Sequence, residues 1–418
     1  MPLFISVLFI IACLLGCEER ELATKKGEDT GTTTEGSCNL ALKFRLYLKN
    51  TDKIDVYDLR QIVPSDMLPK EVYSQASNNN LDVIEYNCRL FLGFRTAPSH
   101  FASTETEMFI LSTEDFVKFE FEKKISMKRD VREPRFLLVK DTLYMYFAVL
   151  GTNPIKFEPE GTMVVKRGED GRWSRPEWVF RDTFIPWRGK IFDGTPTLVG
   201  YTGGNNIYSE PTDHLKVFWF KTSNGKTFEP YLRDFPILLK GGASETDIVK
   251  YGEGEYIAVS RNELGDEDGW GSKICRITSG SNRKVECKSD PKKYDSPLLF
   301  NHKGRIILVG RRNLTETGNY DLNLRELSFV EQRNKYEIEY SFAPKRCSVW
   351  EVDPKNLTVK FLVDLPSKGD TCFASYIRLS ENHYWIFNYS SPPEGPDYKW
   401  IEGQANPTNI YSVILYIP

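Results

Sequence analysis

The chain has 418 residues, and its 40% hydrophobic and 13% aromatic content, with 29 glycines and 23 prolines, suits a turn-rich β protein rather than a disordered one. Lys and Arg number 55 against 58 Asp and Glu, a formal net charge of -3. No basic run stands beside a stacking motif, so this balance excludes nucleic acid and gives no sign of an anionic membrane surface as partner.

The chain opens with "MPLFISVLFIIACLLGCEERE", an apolar segment too short and too early for a membrane span, ending at a small residue and a cysteine. Leu14-Leu15-Gly16-Cys17 resembles the lipobox of bacterial lipoproteins, although the n-region carries no Lys or Arg. The resemblance implies a signal peptide over 1–17, lipidation of Cys17, and export to the cell envelope as an outer-membrane or periplasmic lipoprotein with the membrane reached through this anchor. Residues 18–37 are polar and read as a tether, leaving 38–418 as one domain, expected to be monomeric. Export permits disulfides. Beyond Cys13 and Cys17 six cysteines remain: Cys38, Cys88, Cys275, Cys287, Cys347 and Cys372. Cys275 and Cys287 flank the turn-rich "RITSGSNRKVE", which predicts a cross-strand disulfide, while the other pairings stay open.

Along the rest of the chain, long amphipathic helix patterns are nearly absent, and one hairpin outline recurs: an apolar run, a turn, a second apolar run. It appears at 88–95, 135–149, 247–261, 297–311 and 375–389, with a weaker copy at 196–208. The spacing of about 50 to 60 residues is that of a four-stranded propeller blade. A second element, strand, polar turn, aromatic, strand, occurs at 110–122, 164–176 and 219–231; it resembles a degenerate Asp-box, the turn between the outer two strands of sialidase blades. Six hairpins predict an all-β, six-bladed β-propeller, with five blades as the alternative. "NLALKFRLYLK" at the N-terminal end and "NIYSVILYIP" at the C-terminal end are spare strands able to close the ring.

The hairpins end on charges. Arg95, Arg261 and Arg311 close second strands, and Glu133, Glu245 and Asp295 stand at the start of first strands. In a propeller the open ends of these inner hairpins meet at the mouth of the axial tunnel. Arginines converging there suit a carboxylate, for which guanidinium offers a rigid fork of donors. Carboxyls at the same mouth are the equipment of glycoside hydrolysis. Mutual Arg–carboxylate pairing at the blade junctions is the simpler structural use of the same residues.

In this arrangement the chain resembles the sialidase (neuraminidase) superfamily, through "SETDIVKYGEGEYIAVSRN", "LGFRTAP" and "LVGRRN". The resemblance implies that Glu245 assists the nucleophile and that Arg95, Arg261 and either Arg311 or Arg312 form a carboxylate-binding triad. Two positions depart from the family. Phe373 stands where the nucleophilic tyrosine belongs, with Tyr376 and Tyr389 as the nearby substitutes. The loop "TAPSHFASTETE" has no Asp to act as acid, leaving His100, Glu105, Glu107, Asp130 or Glu133 to approach. "VREPRFLL" is also similar to a segment of five-bladed furanosidases and mannoside phosphorylases, which implies Glu133 as a transition-state stabiliser, Glu245 as acid and Asp295 as its partner.

Trp270, in the loop "NELGDEDGWGS", is placed to stack on a sugar, and "GDEDG" lacks the ligand spacing of a calcium loop. The histidines show no metal-binding spacing, and His302 and His383 fall in far-face turns expected to be solvated. No metal or cofactor is called for. The reading is a sialidase-like glycoside hydrolase acting on an acidic sugar; the alternative is a non-catalytic glycan-binding or adhesion lipoprotein on a degenerate propeller.

Overall fold

The computed structural model describes residues 38–204, 215–280 and 283–418, so Cys17 and the tether lie outside the described residues. Six antiparallel sheets follow one another as blades. Blade 1 consists of Ser77–Tyr86, Arg89–Ala97, Glu107–Thr113 and Glu120–Ser126, and blade 2 of Asp130–Val139, Thr142–Leu150, Pro159–Lys166 and Glu177–Phe180. Blade 3 runs from Ile185 to Gly241, blade 4 from Ala243 to Asp290 and blade 5 from Leu298 to Asp364. The predicted hairpins at 135–149, 247–261, 297–311 and 375–389 are the two inner strands of their blades. By contrast, 88–95 covers only the second strand of blade 1, and 196–208 starts on the second strand of blade 3, whose inner hairpin is Ile185–Phe192 with Thr195–Thr202. The inner strands are apolar on both faces because each is covered by the neighbouring blades, as the almost unbroken burial of Arg89–Ala97 shows. Outermost strands such as Glu120–Ser126, "EFEKKIS", expose charges instead, which discourages edge-to-edge pairing. Near the axis the blades crowd: a Cβ on Gly189 would lie 2.6 Å from the carbonyl oxygen of Phe136 in blade 2, so only glycine fits.

Blade 6 closes the ring with both ends of the chain. Its order is Lys368–Thr371 and Ser375–Arg378 beside His383–Ser391, then the C-terminal Asn409–Tyr416, then the N-terminal Asp55–Val63 as outer strand. The C-terminal expectation holds, and six blades rule out five. The N-terminal one is corrected: within 39–49 lies only a one-turn helix, Leu40–Lys43, capped by the Asn39 side chain. The closing strand is "DVYDLRQIV".

All three Asp-box-like turns lie between the third and fourth strands of their blades. Asp115 accepts from the amides of Val117 and Lys118, Asp170 from Arg172, and Asn224 from Lys226 and Thr227. Blade 5 has a fourth such turn that sequence reading missed, with Asp353 accepting from Lys355 and Asn356. The polar side chain makes the turn in each case.

Three disulfides are present among the described residues. Cys275–Cys287 joins directly paired residues of adjacent strands, as predicted, and the open pairings resolve to Cys38–Cys88 and Cys347–Cys372. Such bonds persist in oxidising compartments and mark the protein as exported. Among the described residues, no helix is long and apolar enough to cross a membrane.

Blade 5 carries an insertion between its second and third strands. It contains the helix Phe329–Ser341, started by a Ser328/Glu331 capping box. Trp270 is buried in its company, against Phe329 and Tyr336, and has no exposed surface. The sugar-stacking expectation for Trp270 is thereby corrected: the ring packs the insertion onto the loop. Trp270→Ala should cost about 3–5 kcal/mol of stability, as for other buried large aromatics, and leave ligand affinity unchanged; urea unfolding beside calorimetric titration checks both. Asp266 and Asp268 of "GDEDG" both pair with Lys273, and no cluster of potential metal ligands occurs among the described residues. His302 is also not solvated, being buried between the Tyr384 hydroxyl and the Pro418 carbonyl; His383 is buried too.

Candidate functional site

A cavity of about 290 Å³ opens on the axis at the end where the inner hairpins begin and finish. Its floor is set by one backbone device repeated around the ring. The innermost strand of every blade is interrupted near the mouth, at Asn80, Glu133, Trp187, Glu245, Ser296 and Phe373, and all six residues line the cavity. Asn80, Glu133 and Ser296 adopt left-handed φ values of 42°, 57° and 54°, and Cys372, before Phe373, one of 83°. A bulge turns one side chain out of the pleat, and strained non-glycine positions of this kind gather where a side chain must be aimed. The Cys347–Cys372 bond ties the interruption in blade 6 to blade 5.

Two of the aimed side chains are carboxyls. Glu133 has little exposed surface and takes hydrogen bonds from Asn80 Nδ2 on both oxygens at 3.2 Å. Burial pushes its carboxyl up to about 7; Arg135 pulls the other way, and Glu245 adds to the rise. Glu245 accepts the Ser296 amide at 2.7 Å and pairs with Arg261 Nη1 at 2.7 Å. Burial raises its carboxyl too, against the pull of Arg261. One group is thus half-protonated near neutrality beside a second, salt-bridged carboxyl.

The arginines divide. Arg261 and Arg311 line the cavity, while Arg95 does not. Arg95 is fully buried and spends its donors on Asp130 at 3.0 Å, Asn79, and the carbonyls of Ser99 and Phe101. Arg312 lies among the outer strands of blade 5, paired with Asp364 and over the Phe361 ring. Arg132, which sequence reading did not single out, lines the cavity from blade 2. Each cavity arginine has a carboxylate partner: Arg132 pairs with Asp130, Arg261 with Glu245 and Glu263, and Arg311 with Asp295 at 2.9 Å. Asp295 is buried behind the wall. Burial works against its charge, but Lys293 and Arg311 more than compensate and hold the carboxyl below the usual range. Arg311 donates from Nε to the Thr371 carbonyl and from Nη1 to Asp295, and its Nη2 has no protein acceptor among the described residues. That donor is available to a ligand.

Of the tyrosines, Tyr389 lines the cavity and donates to Asp370 at 3.0 Å, whereas Tyr376 packs on Phe300 and lines a separate 40 Å³ cavity deeper in the tunnel. Phe373 and Trp187 pack edge to face at 5.2 Å as an apolar wall, so no nucleophile stands at the position of Phe373. His100, Trp400 and the loop 153–157 complete the rim. Asp370, Trp187 and Trp400 carried no sequence signal, because nothing local distinguishes a residue that faces the axis.

The architecture is a six-bladed β-propeller. No family model and no curated protein matches the sequence. Among solved structures, a Dyadobacter fermentans protein of unknown function aligns with a TM-score of 0.59 and 13% identity over 88% of this chain and 100% of its own. The phage phi92 endosialidase gives 0.52 and 11%, over 86% of this chain and 69% of its own. A Trypanosoma rangeli sialidase gives 0.50 and 11%, over 87% and 60%. At these identities the likeness is one of fold.

Proposed function

We propose that the protein is an exported glycoside hydrolase that removes a carboxylated sugar from a glycan, and that it does so without a tyrosine nucleophile. The observation that carries this reading is the pair of buried carboxyls, Glu133 and Glu245, aimed by bulges into one axial cavity. A group protonated near neutrality can give a proton to a departing glycosidic oxygen, while the neighbouring carboxyl, salt-bridged to Arg261, faces the positive charge developing on the sugar. The cavity is near the small end of the usual range of about 300–1,000 Å³, which suits a single terminal sugar. The open Nη2 of Arg311, with Arg261 beside it, supplies the carboxylate contact, and Trp187 with Phe373 the apolar face.

A second reading, glycan binding without chemistry, is favoured by Phe373 at the place of the family nucleophile. Titration with N-acetylneuraminic acid and its 2,3-didehydro analogue separates the two. Tighter binding of the planar analogue, weakened about 10-fold or more in Arg311→Ala, supports catalysis, since transition-state-like ligands bind better at a site built for reaction. Equal weak binding supports the second reading. No binding of either defeats the acidic-sugar assignment.

A further inference from the structure

The same cavity wall holds a second arrangement of titratable groups that the hydrolase reading does not use. His100, from the loop after the second strand of blade 1, lines the cavity. Its Nδ1 lies 2.6 Å from Oδ2 of Asp370, which belongs to blade 6 and is completely buried. The other oxygen of Asp370 receives the Tyr389 hydroxyl at 3.0 Å and the Trp400 indole N–H at 3.1 Å. Burial opposes the charge on Asp370, but His100 and Arg311 outweigh it and keep the carboxyl below the usual range. A carboxylate held ionised accepts only, so the proton in this contact sits on Nδ1; Asn79 Nδ2, at 3.4 Å from the same nitrogen, is too far to compete. In the neutral ring Nε2 then carries the lone pair, and no protein group among the described residues bonds to it. Arg132 donates to the His100 backbone carbonyl.

We propose that His100 and Asp370 form a proton-transfer dyad, with Nε2 of His100 as the base that takes a proton from an attacking water; the base role rests on the hydrolase reading. Asp370 fixes the tautomer and balances the imidazolium that forms, without itself being protonated. In the step, the water oxygen bonds to the anomeric carbon as the glycosidic bond breaks, and the bonding pair leaves with the departing oxygen. That oxygen takes the Glu133 proton, and the water proton goes to Nε2. The products are the free sugar, the alcohol, an ionised Glu133 and an imidazolium, and return of the proton to Glu133 through solvent resets the site.

Two measurements test this, both on the full chain. The first is nitrogen-15 NMR with labelled histidine. The resonance absent from His100→Gln should show the Nδ1-protonated tautomer, and Asp370→Asn should abolish that preference. An Nε2-protonated ring, or one indifferent to Asp370→Asn, overturns the dyad. The second is turnover of 4-methylumbelliferyl N-acetylneuraminide and glucuronide. His100→Gln should lower kcat about 100-fold or more with KM little changed and thermal stability retained, and it should remove the limb of the pH–rate profile that persists in Glu133→Gln. Unchanged kcat in His100→Gln overturns the catalytic role. If the wild type turns over neither compound while the tautomer signature is present, the dyad stands and the hydrolase reading falls.

Discussion

Glu133→Gln should abolish hydrolysis, by about 100- to 10,000-fold as expected for loss of a general acid, while leaving affinity for the acidic sugar little changed. Gln keeps the shape and the contact with Asn80 but has no proton to give. The wild-type rate should fall as pH rises through about 7, where the Glu133 carboxyl ionises. The same residue gives a stability signature with the opposite outcome. Its folded-state value lies above the ordinary glutamate value, so the folded state holds the proton more tightly than the unfolded chain. Stability from this group is fully present below the unfolded value, near 4.5, and is lost as pH rises through about 7. The raised value corresponds to about 3 kcal/mol lost by the wild type above that pH. Gln has no such loss, so Glu133→Gln should be inactive yet more stable than wild type in alkaline buffer. Urea unfolding at several pH values, with turnover measured in parallel, checks both. A variant that is inactive and also less stable at every pH would place Glu133 among the structural residues.

Arg95→Ala should instead cost about 3–5 kcal/mol, the usual consequence of removing one partner of a fully buried ion pair. Asp130 would remain buried with Arg132 as its sole cationic partner. Because Arg95 lies outside the cavity wall, affinity for the acidic sugar in the surviving folded fraction should not change. The pair Arg95→Met with Asp130→Leu should recover part of the loss, since neither of those two charges is then stranded, although Arg132 loses its contact with Asp130. A stable Arg95→Ala protein with lost affinity would return Arg95 to the binding site. Arg311→Ala also strands a buried carboxylate, Asp295, and should lose stability too. It is therefore the loss of affinity in the folded fraction that separates an arginine facing ligand from one used only as a bracket between blades.

Much of the architecture is legible in the sequence because it arises from local chemistry. The hairpins are two apolar runs about a turn, and the Asp-box-like turns at Asp115, Asp170 and Asn224 work through hydrogen bonds to amides two or three residues on. The disulfide between Cys275 and Cys287 follows from two cysteines either side of one turn. Recognition of "NLALKFRLYLK" as a strand failed because its apolar residues serve equally well on a short helix, and alternation alone could not choose between them. Cys38–Cys88 and Cys347–Cys372 stayed open because pairs across separate strands leave no local mark.

The site was legible as a set of charges but not as a set of directions. Glu133, Glu245, Arg261 and Arg311 all line the cavity, since strand ends map onto the mouth by topology. Arg95 and Arg261 close equivalent strands, yet Asp130 of the next blade captures one, while the other stands at the cavity between Glu245 and Glu263. No spacing rule separates the two cases.

By itself, then, the sequence determined the all-β class, the sixfold repeat, the turn chemistry and the presence of paired charges at strand ends, all of which follow from residues within one hairpin of each other. The tertiary structure alone decided which charges face the cavity, that bulges aim Glu133 and Glu245 into it, and that Asp370 meets His100 from 270 residues away. Those outcomes depend on how neighbouring blades and the two chain ends close around one axis. Each buried charge then settles on whichever opposite charge or hydrogen-bonding group the closed ring brings nearest.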